Sequence, residues 1–334
     1  MSGAKTTEQP ASPTRGARRA LLDARVFASR YGVIIALIAT IAIFSALRPG
    51  VFPTVANLKA ILQQAAPLAV IALGLTVVLV MGDFDLSLAG MIGLGSASAV
   101  SLMAVHGVYY PIAIAAGIGV GVLGGAVNGT LIAYIGASSF ILTLASGQVM
   151  GGVEFLITGQ KTMFEGFPAA FSDIAGGSFL GLSNQVYVAL GAIVILYLLL
   201  EQSEVGRYMY AIGGNREAAT LSGISVRVLR VVGFVIVGVC SSLAGILIAS
   251  QNASQSPNSG TGYFLPAYAA AFLGASVLRP GIFTILGTVI GALFLEVIAT
   301  GLTMVSTSSA LVLIVQGAIL GVAVLLSRLG GEQK

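Results

Sequence analysis

Four acidic residues stand in or beside long apolar runs of this 334-residue sequence: Asp83, Asp85, Glu154 and Glu296. A charged side chain at the centre of a bilayer costs about 2.5–3.5 kcal/mol on insertion scales, so an acid in such a run faces the protein interior or water. There it can accept hydrogen bonds from the hydroxyl groups of a solute, take part in gating, or carry a proton or a sodium ion. The four acids are therefore candidates for a transport function.

Asp85 allows two roles, which are compatible with each other. As an N-cap it would bind the free amides at the start of a helix that begins at Leu86. As a pathway residue, together with Asp83, it would contact the transported solute or act in gating. The predicted substrate pathway comprises Asp83, Phe84, Asp85, Ser87, Asn128, Gln148 and Glu296.

Uncharged polar and aromatic residues in the apolar runs also have two uses. The amides of Asn128, Gln148 and Gln316 could line a path for a hydroxyl-rich solute, although hydrogen bonding between helices is their commoner use. Three aromatic side chains could stack on a sugar ring at an entrance, although anchoring at the membrane interface is the commoner use of such residues. They are Tyr263, Phe264 and Tyr268.

The sequence lacks the motifs of an enzyme. No G-x-x-x-x-G-K-[ST] loop is present to bind ATP phosphates. With one histidine, His106, and one cysteine, Cys240, the chain has no set of metal ligands or catalytic nucleophile and base. The fingerprint Gly119-x-Gly-x-x-Gly124 lies inside an apolar run with no strand before it, so it does not indicate a dinucleotide site. We predict no catalytic residue, no bound metal and no cofactor.

Composition indicates which elements hold these residues. Hydrophobic residues make up 57% of the chain and charged residues 8%, against roughly a quarter charged in a soluble domain. The apolar residues form long uninterrupted runs, which predict an all-α polytopic membrane protein with about ten transmembrane helices. The first run lacks a cleavage site and is expected to be retained as a span. The predicted spans are 31–47, 61–81, 86–105, 109–133, 139–157, 186–200, 228–249, 264–278, 282–304 and 308–327.

The distribution of basic residues predicts the topology. With both termini cytoplasmic, 13 of the 16 basic residues fall on the cytoplasmic side, as the positive-inside rule expects. The positive charge is then spread along membrane edges, which argues against nucleic-acid binding. The predicted domains are a cytoplasmic basic segment 1–30, a transmembrane domain 31–328 with a cytoplasmic loop near 201–227, and a cytoplasmic tail 329–334.

Glycine spacing predicts how one span packs. Gly117, Gly121, Gly125 and Gly129 recur every four residues on one helix face. Small residues at this interval let helix backbones approach closely in lipid, so this face is expected to contact another helix.

The predicted cytoplasmic loop contains a short helix. Asn215 is a good N-cap, Glu217 suits the positive end of the helix dipole, and Gly223 can end the helix. By capping alone, this segment could be an ordinary connecting helix.

The sequence Glu217-Ala-Ala-x-x-x-Gly223 resembles the EAA loop of ABC importer permeases. The resemblance implies a cytoplasmic coupling helix that docks into a groove of the ATPase subunit. The stretch from Gly206 to Gly223 is most similar to the ribose-type branch, whose members are permeases for monosaccharides and related solutes. The residues that it assigns to ATPase coupling are Gly206, Arg207, Gly213, Asn215, Glu217, Ala218, Ala219 and Gly223.

A second segment, Gly82 to Gly90, resembles the Gly-Gly-x-Asp-Leu-Ser-Val-Gly stretch of the same branch. Asp83 replaces the second glycine, and this extra carboxylate could alter which solute is preferred. The resemblance covers most of the chain after about residue 50. It weakens at Ser138-Ser139-Phe140 and at Arg279 to Phe283.

The resemblance implies an assembly in the bacterial inner membrane. Its other members would be a cytoplasmic ABC ATPase that binds ATP and Mg, a periplasmic solute-binding protein, and a second permease copy or close relative, all surrounded by lipid. The alternative is an ion-coupled secondary transporter of a small polar solute, which needs only one chain. The importer requires the loop 206–224 for docking, whereas the carrier would depend on Asp83, Asp85, Glu154 or Glu296.

Overall fold

The computed structural model describes residues 15–305 and 308–331. Residues 1–14 of the predicted N-terminal segment, 306–307, and 332–334 of the predicted tail lie outside this part of the chain. Within it there are thirteen α-helices. Their bounds are α1 Arg15–Leu47, α2 Val55–Val80, α3 Leu88–Ala104, α4 Tyr110–Thr130, α5 Ser139–Thr158, α6 Ala169–Gly176, α7 Asn184–Tyr197, α8 Glu204–Gly214, α9 Arg216–Leu221, α10 Val226–Asn252, α11 Thr261–Gly274, α12 Ile285–Met304 and α13 Ser309–Gly331.

Each of the predicted spans falls on one of these helices. Among the described residues, six helices are long and apolar enough to cross a membrane: α2, α5, α10, α12, α4 with its π-helical extension 131–135, and α7 with its π-helical extension 198–202. The all-α membrane class is therefore confirmed, whereas the number of crossings and the side of the termini stay predictions. Two predicted starts were wrong. Thr54 caps α2, which begins at Val55 and not at residue 61, and a non-helical segment delays the start of α3 from residue 86 to Leu88.

The long helices α2 and α10 form the centre of the bundle. α2 packs on α11 and α12, and α10 packs on α3 and α4. The contact between α4 and α10 uses the predicted glycine face of α4. A Cβ atom at Gly121 would overlap the carbonyl oxygen of Gly238, and one at Gly125 would overlap that of Phe234. Close backbone packing in lipid therefore depends on these small residues, as predicted.

Two non-helical segments interrupt the bundle, and each is partly buried in it. The 82–87 break joins α2 to α3, and the 253–260 break joins α10 to α11. α3 runs parallel to α5, since Phe84 and Leu86 donate backbone amides to Ser139 and Thr143 at the start of α5. The 82–87 break lies beside α9, so we call this side of the bundle the α9 end.

The other side, called the α6 end, carries the long connection between α5 and α7. This connection folds into α6 and a hairpin of two short antiparallel strands, β1 Ser178–Phe179 and β2 Leu182–Ser183. The hydroxyl of Ser250 donates to the carbonyl of Phe171 and accepts from the amide of Ala175, which fixes α6 on the end of α10. The 253–260 break lies at this end, where Gln255 pairs with Met163 through two backbone hydrogen bonds.

Candidate coupling and translocation site

The predicted short helix near residue 218 is present as α9. The side-chain oxygen of Asn215 accepts a hydrogen bond from the amide of Ala218 at 2.9 Å, and Glu217 lies in the first turn. Gly223 follows the helix with φ +82°, a left-handed conformation that favours glycine. Both predicted caps are therefore confirmed as local structure, while the coupling role assigned to these residues stays a prediction.

One face of α9 is held by the bundle and the other is free. Ala219 is buried, whereas Glu217 and Ala218 are exposed. Leu221 is 90% exposed. α9 therefore presents an apolar side chain and a carboxylate away from the bundle.

A second helix, α8, precedes α9 and was not predicted. Ser203 caps it by accepting a hydrogen bond from the amide of Gly206. A Cβ atom at Gly206 would overlap the carbonyl oxygen of Leu200, and one at Gly213 would overlap that of Val80. Gly213 therefore allows α8 to lie directly against the end of α2, and Gly206 allows α8 to pack on the π-helical extension that follows α7.

Polar contacts also attach this region to α12. The hydroxyl of Tyr210 donates to the carbonyl of Phe283 at 2.8 Å, and a carboxylate oxygen of Glu201 accepts from the amide of Ile285. Burial, with a smaller contribution from the Glu201 carboxylate, raises the pKa of Tyr210 to about 12, so the phenol stays a donor. Arg207 forms only an exposed ion pair with Glu204, at 3.6 Å, and such pairs contribute little.

Asp83 forms a buried ion pair at the 82–87 break. Its two carboxylate oxygens accept from the Nε and Nη2 atoms of Arg230, each at 2.7 Å. Arg216, the first residue of α9, contacts the same carboxylate at 3.4 Å and donates to the carbonyl of Met81. A cleft of 390 Å³ opens beside this ion cluster. The cluster connects α9 to α2 and α10, and it occupies the oxygens that we expected to face a solute.

Asp85 lies deeper and belongs to a chain of hydrogen bonds. Asn128 donates to the Ser87 hydroxyl at 3.0 Å, and the Ser87 hydroxyl and amide donate to one oxygen of Asp85. Tyr268 donates to the Asp85 carbonyl at 2.9 Å. Asp85 was predicted to be the N-cap of a helix that begins at Leu86. This position is wrong, because α3 begins at Leu88 and its N-cap is Ser87.

Two buried acceptors in this chain have no partner among the described residues: the second oxygen of Asp85 and the side-chain oxygen of Asn128. Phe84 is 38% exposed, and its ring stacks on that of Tyr268 with centroids 6.5 Å apart. The predicted pathway residues Phe84, Asp85, Ser87 and Asn128 are thus brought together with Tyr268.

Glu154 holds the other break in place. One of its carboxylate oxygens accepts from the amide of Asn258 at 3.1 Å and from the side chain of Gln255 at 3.2 Å. Gly93 of α3 makes room for it, because a Cβ atom there would overlap the carboxylate. Glu154 is buried and forms no ion pair within the described part of the chain.

The remaining predicted pathway residues lie apart from this group. Glu296 lines a cavity in the half of the bundle nearest the α6 end, together with Tyr263 and Gln316. Gln148 is exposed on α5, whose outer face is largely unburied. The structure therefore does not unite all seven residues in one path within this chain.

Sequence reasoning missed Arg230 as the partner of Asp83. Arg230 was counted only as a basic residue near a membrane edge. An acid in place of a glycine within a motif indicates that a compensating charge lies elsewhere, but the sequence does not identify which basic residue supplies it. Tyr268 was considered only as an aromatic residue, while its hydroxyl makes the contact with Asp85.

Comparison with known proteins places this arrangement in a family. Residues 57–324 match the family described as "Branched-chain amino acid transport system / permease component". The chain is 36% identical over 296 residues to the ribose import permease protein RbsC of Escherichia coli (strain K12), covering 87% of this chain and 91% of that protein. No solved structure matches the chain.

Relatives named for other sugars are similar over the same extent. The D-allose transport system permease protein AlsC of Escherichia coli (strain K12) is 31% identical, with 91% of this chain and 93% of that protein covered. The L-arabinose ABC transporter permease protein AraH of Azospirillum brasilense is 30% identical, with 92% and 89% covered. The similarity therefore includes both breaks and the segment that forms α8 and α9.

Proposed function

We propose, from the premise that this chain belongs to the family of branched-chain amino acid transport system permease components, that it is the permease subunit of an ABC importer for a monosaccharide or similar small polar solute. The permeases with which it shares 30–36% identity are named for ribose, allose and arabinose. The observation that carries the proposal is α9, a short capped helix with one face buried and Leu221 exposed.

α9 is proposed as the docking element for a cytoplasmic ATPase subunit, which binds ATP and Mg. An exposed leucine beside an exposed carboxylate suits a partner groove with an apolar floor and a polar rim. Arg216 extends from the base of α9 to Asp83, and Asp83 is paired with Arg230 of α10. Movement of α9 by the ATPase would therefore be transmitted to the two central helices.

The proposed topology has ten crossings, with both termini in the cytoplasm of a bacterial cell and the protein in its inner membrane. The basic residues near α9, among them Arg207, Arg216 and Arg227, support a cytoplasmic α9 end. The α6 end, with α6 and its hairpin, would face the periplasm and receive a solute-binding protein. The lipid or a second permease copy would cover the exposed face of α5 that carries Gln148.

The alternative of an ion-coupled carrier has less support. Asp83 is neutralised by arginine, and Glu154 is bound to the 253–260 break, so neither is free to carry an ion. The family assignment also favours the importer. Asp85 and Glu296 are the acids on which a carrier would still depend.

The docking proposal is tested with Leu221→Asp and Glu217→Ala in the full chain. Reconstituted with its ATPase and solute-binding protein in proteoliposomes, each variant is expected to lower ATP-driven uptake, because the exposed face of α9 is altered while its buried face is intact. Glu165→Ala, which removes an exposed carboxylate at the α6 end, is the matched control and is expected to bind the ATPase normally.

Side-specific labelling tests the topology. Ala218→Cys at the α9 end and Ser178→Cys at the α6 end, in a background with Cys240→Ala, introduce exposed thiols at opposite ends. We expect a membrane-impermeant maleimide to label residue 178 in intact spheroplasts and residue 218 only in inverted vesicles. Labelling of residue 218 from the periplasmic side would refute the importer proposal.

A further inference from the structure

The hairpin of β1 and β2 at the α6 end has a polar base and an apolar tip. Asn184, the first residue of α7, donates its side-chain amide to the carbonyl of Asp173 in α6 at 2.9 Å, which attaches the base to the bundle. At the tip, Phe179 is 61% and Leu180 83% exposed. α6 therefore fixes one end of the hairpin, and the described residues leave its apolar end uncovered.

The backbone at the tip is unfavourable for a leucine in water. Leu180 has φ +48° and Gly181 has φ +78°, and the two residues join β1 to β2 as a two-residue turn. Turns with two positive φ angles favour asparagine, aspartate or glycine at the first position, because other L-residues crowd their Cβ atom against the following carbonyl oxygen. An exposed apolar side chain in this strained conformation indicates a contact that favours leucine over asparagine.

α7 shows to which surface the tip belongs. The hydroxyl of Tyr187 donates to the carbonyl of Phe179 at 2.7 Å, and the two rings meet edge to face with centroids 5.8 Å apart. Leu190 and Val194 follow Tyr187 at helical spacing on the same face of α7 and are exposed. α7 with its extension is apolar enough to cross a membrane, so acyl chains cover this face. The tip of the hairpin therefore continues the lipid-facing surface of α7.

Lys59 adds a positive charge beside the tip. It is exposed on the second turn of α2, and its Nζ atom lies 3.0 Å from the position that a Cβ atom on Gly181 would take. Within the described residues no carboxylate forms an ion pair with it. Lysine and tyrosine at the ends of membrane-crossing helices are typical of the membrane interface, where the ammonium group reaches lipid phosphates and the aliphatic stem covers apolar surface.

We propose that this hairpin is a lipid-binding element seated in the membrane interface at the α6 end. Phe179 and Leu180 contact acyl chains, and the ammonium group of Lys59 binds the phosphate of an anionic phospholipid, since an uncompensated positive charge favours a lipid with net negative charge. The apolar tip and the lysine match the two parts of a lipid, whereas a soluble partner would leave the continuous apolar face of α7 uncovered. The inference goes beyond the proposed function and depends neither on the solute nor on the ATPase.

The chain contains no tryptophan, so one introduced indole can report where the tip lies. Leu180→Trp is compared with Glu165→Trp, which places the same indole at an exposed acidic position of the α6 end. Both full-length proteins are reconstituted in phosphatidylcholine vesicles, and the quencher is either brominated acyl chains or iodide on both sides of the membrane. Brominated lipid is expected to remove most of the emission of Leu180→Trp and little of that of Glu165→Trp, and iodide is expected to do the opposite.

Phe179→Trp covers the case in which Leu180→Trp disturbs the turn, since it keeps an aromatic ring beside Tyr187. In this variant, brominated phosphatidylglycerol is expected to quench more strongly than brominated phosphatidylcholine. Adding Lys59→Gln should abolish the difference, whereas Lys161→Gln, the same change at an exposed lysine outside the hairpin, should preserve it. An unchanged difference with Lys59→Gln would overturn the assignment of the phosphate to Lys59.

Lipid contact at the tip is contradicted when iodide quenches Leu180→Trp and Phe179→Trp as strongly as Glu165→Trp, because the tip then lies in water. Protection from both quenchers also contradicts it, because these vesicles hold no solute-binding protein and a second copy of this chain would then cover the tip. Both results leave the dependence of ATP-driven uptake on α9 unaffected, so they are distinguishable from failure of the importer proposal.

Discussion

The 82–87 break and the 253–260 break occupy corresponding places in the chain, since each follows a long central helix and precedes a short one. In each, backbone amides donate to side chains of α5. The two breaks differ in the charge of the groups that bind their carboxylates. Asp83 in the first break faces two arginines, one of them on α9, whereas Glu154 at the second accepts only neutral donors among the described residues.

This difference suits the 82–87 break to a mechanical role and the 253–260 break to a structural one. The ion pair of Asp83 includes Arg216 of α9, so it changes if α9 moves. A carboxylate bound to an amide and a carboxamide of one segment fixes that segment. Under the proposed function, the 82–87 break would connect the ATPase-docking helix to the central helices, whereas the 253–260 break supports the start of α11, where Tyr263 borders the cavity.

Removing Arg230 is expected to have the largest effect on stability. Arg230→Met leaves Asp83 buried without its bidentate partner, which costs about 3–5 kcal/mol. Unfolding in mixed micelles, followed by circular dichroism, measures the loss. The double variant Asp83→Ala with Arg230→Met is expected to recover most of it. Equal stability of the single and double variants would show that the charge of Asp83 is not compensated by Arg230.

Arg207→Met is the matched control, since it breaks an ion pair whose side chains are 64% and 76% exposed. It is expected to change stability by less than about 1 kcal/mol.

Glu154→Ala is expected to have an intermediate and more local effect. It leaves the amide of Asn258 without its acceptor and removes one of the three acceptors of the Gln255 side chain, and a hydrogen bond to a charged group contributes about 1.5–3 kcal/mol. Hydrogen exchange measured by mass spectrometry should accelerate in 253–260 and not in 82–87. Acceleration in both breaks would mean that they form one cooperative unit and that the comparison fails.

The sequence predicted those features that are encoded locally. Apolar runs located the helices, and Asn215 with Gly223 located α9, because hydropathy and capping depend on neighbouring residues. The pair of Asp83 and Arg230 could not be predicted, since 147 residues separate its members. Glu296, Gln316 and Tyr263 were each recognised singly, but their meeting in one cavity depends on how α11 packs against α12 and α13. Gln148 was expected in the pathway from its residue type, which does not reveal that it points out of the bundle.

Arg216→Gln is expected to have the smallest effect on stability and the most informative effect on transport. Its side chain is 42% exposed and lies 3.4 Å from Asp83, so its loss is expected to cost less than about 1 kcal/mol. If the 82–87 break transmits the movement of α9, solute uptake per ATP hydrolysed should fall while the protein stays folded and bound to its ATPase. Glu154→Ala, although more destabilising, should leave this ratio nearer the wild-type value. An unchanged ratio in Arg216→Gln would remove the mechanical distinction between the two breaks, because the ion cluster would then stabilise the fold without linking α9 to the central helices.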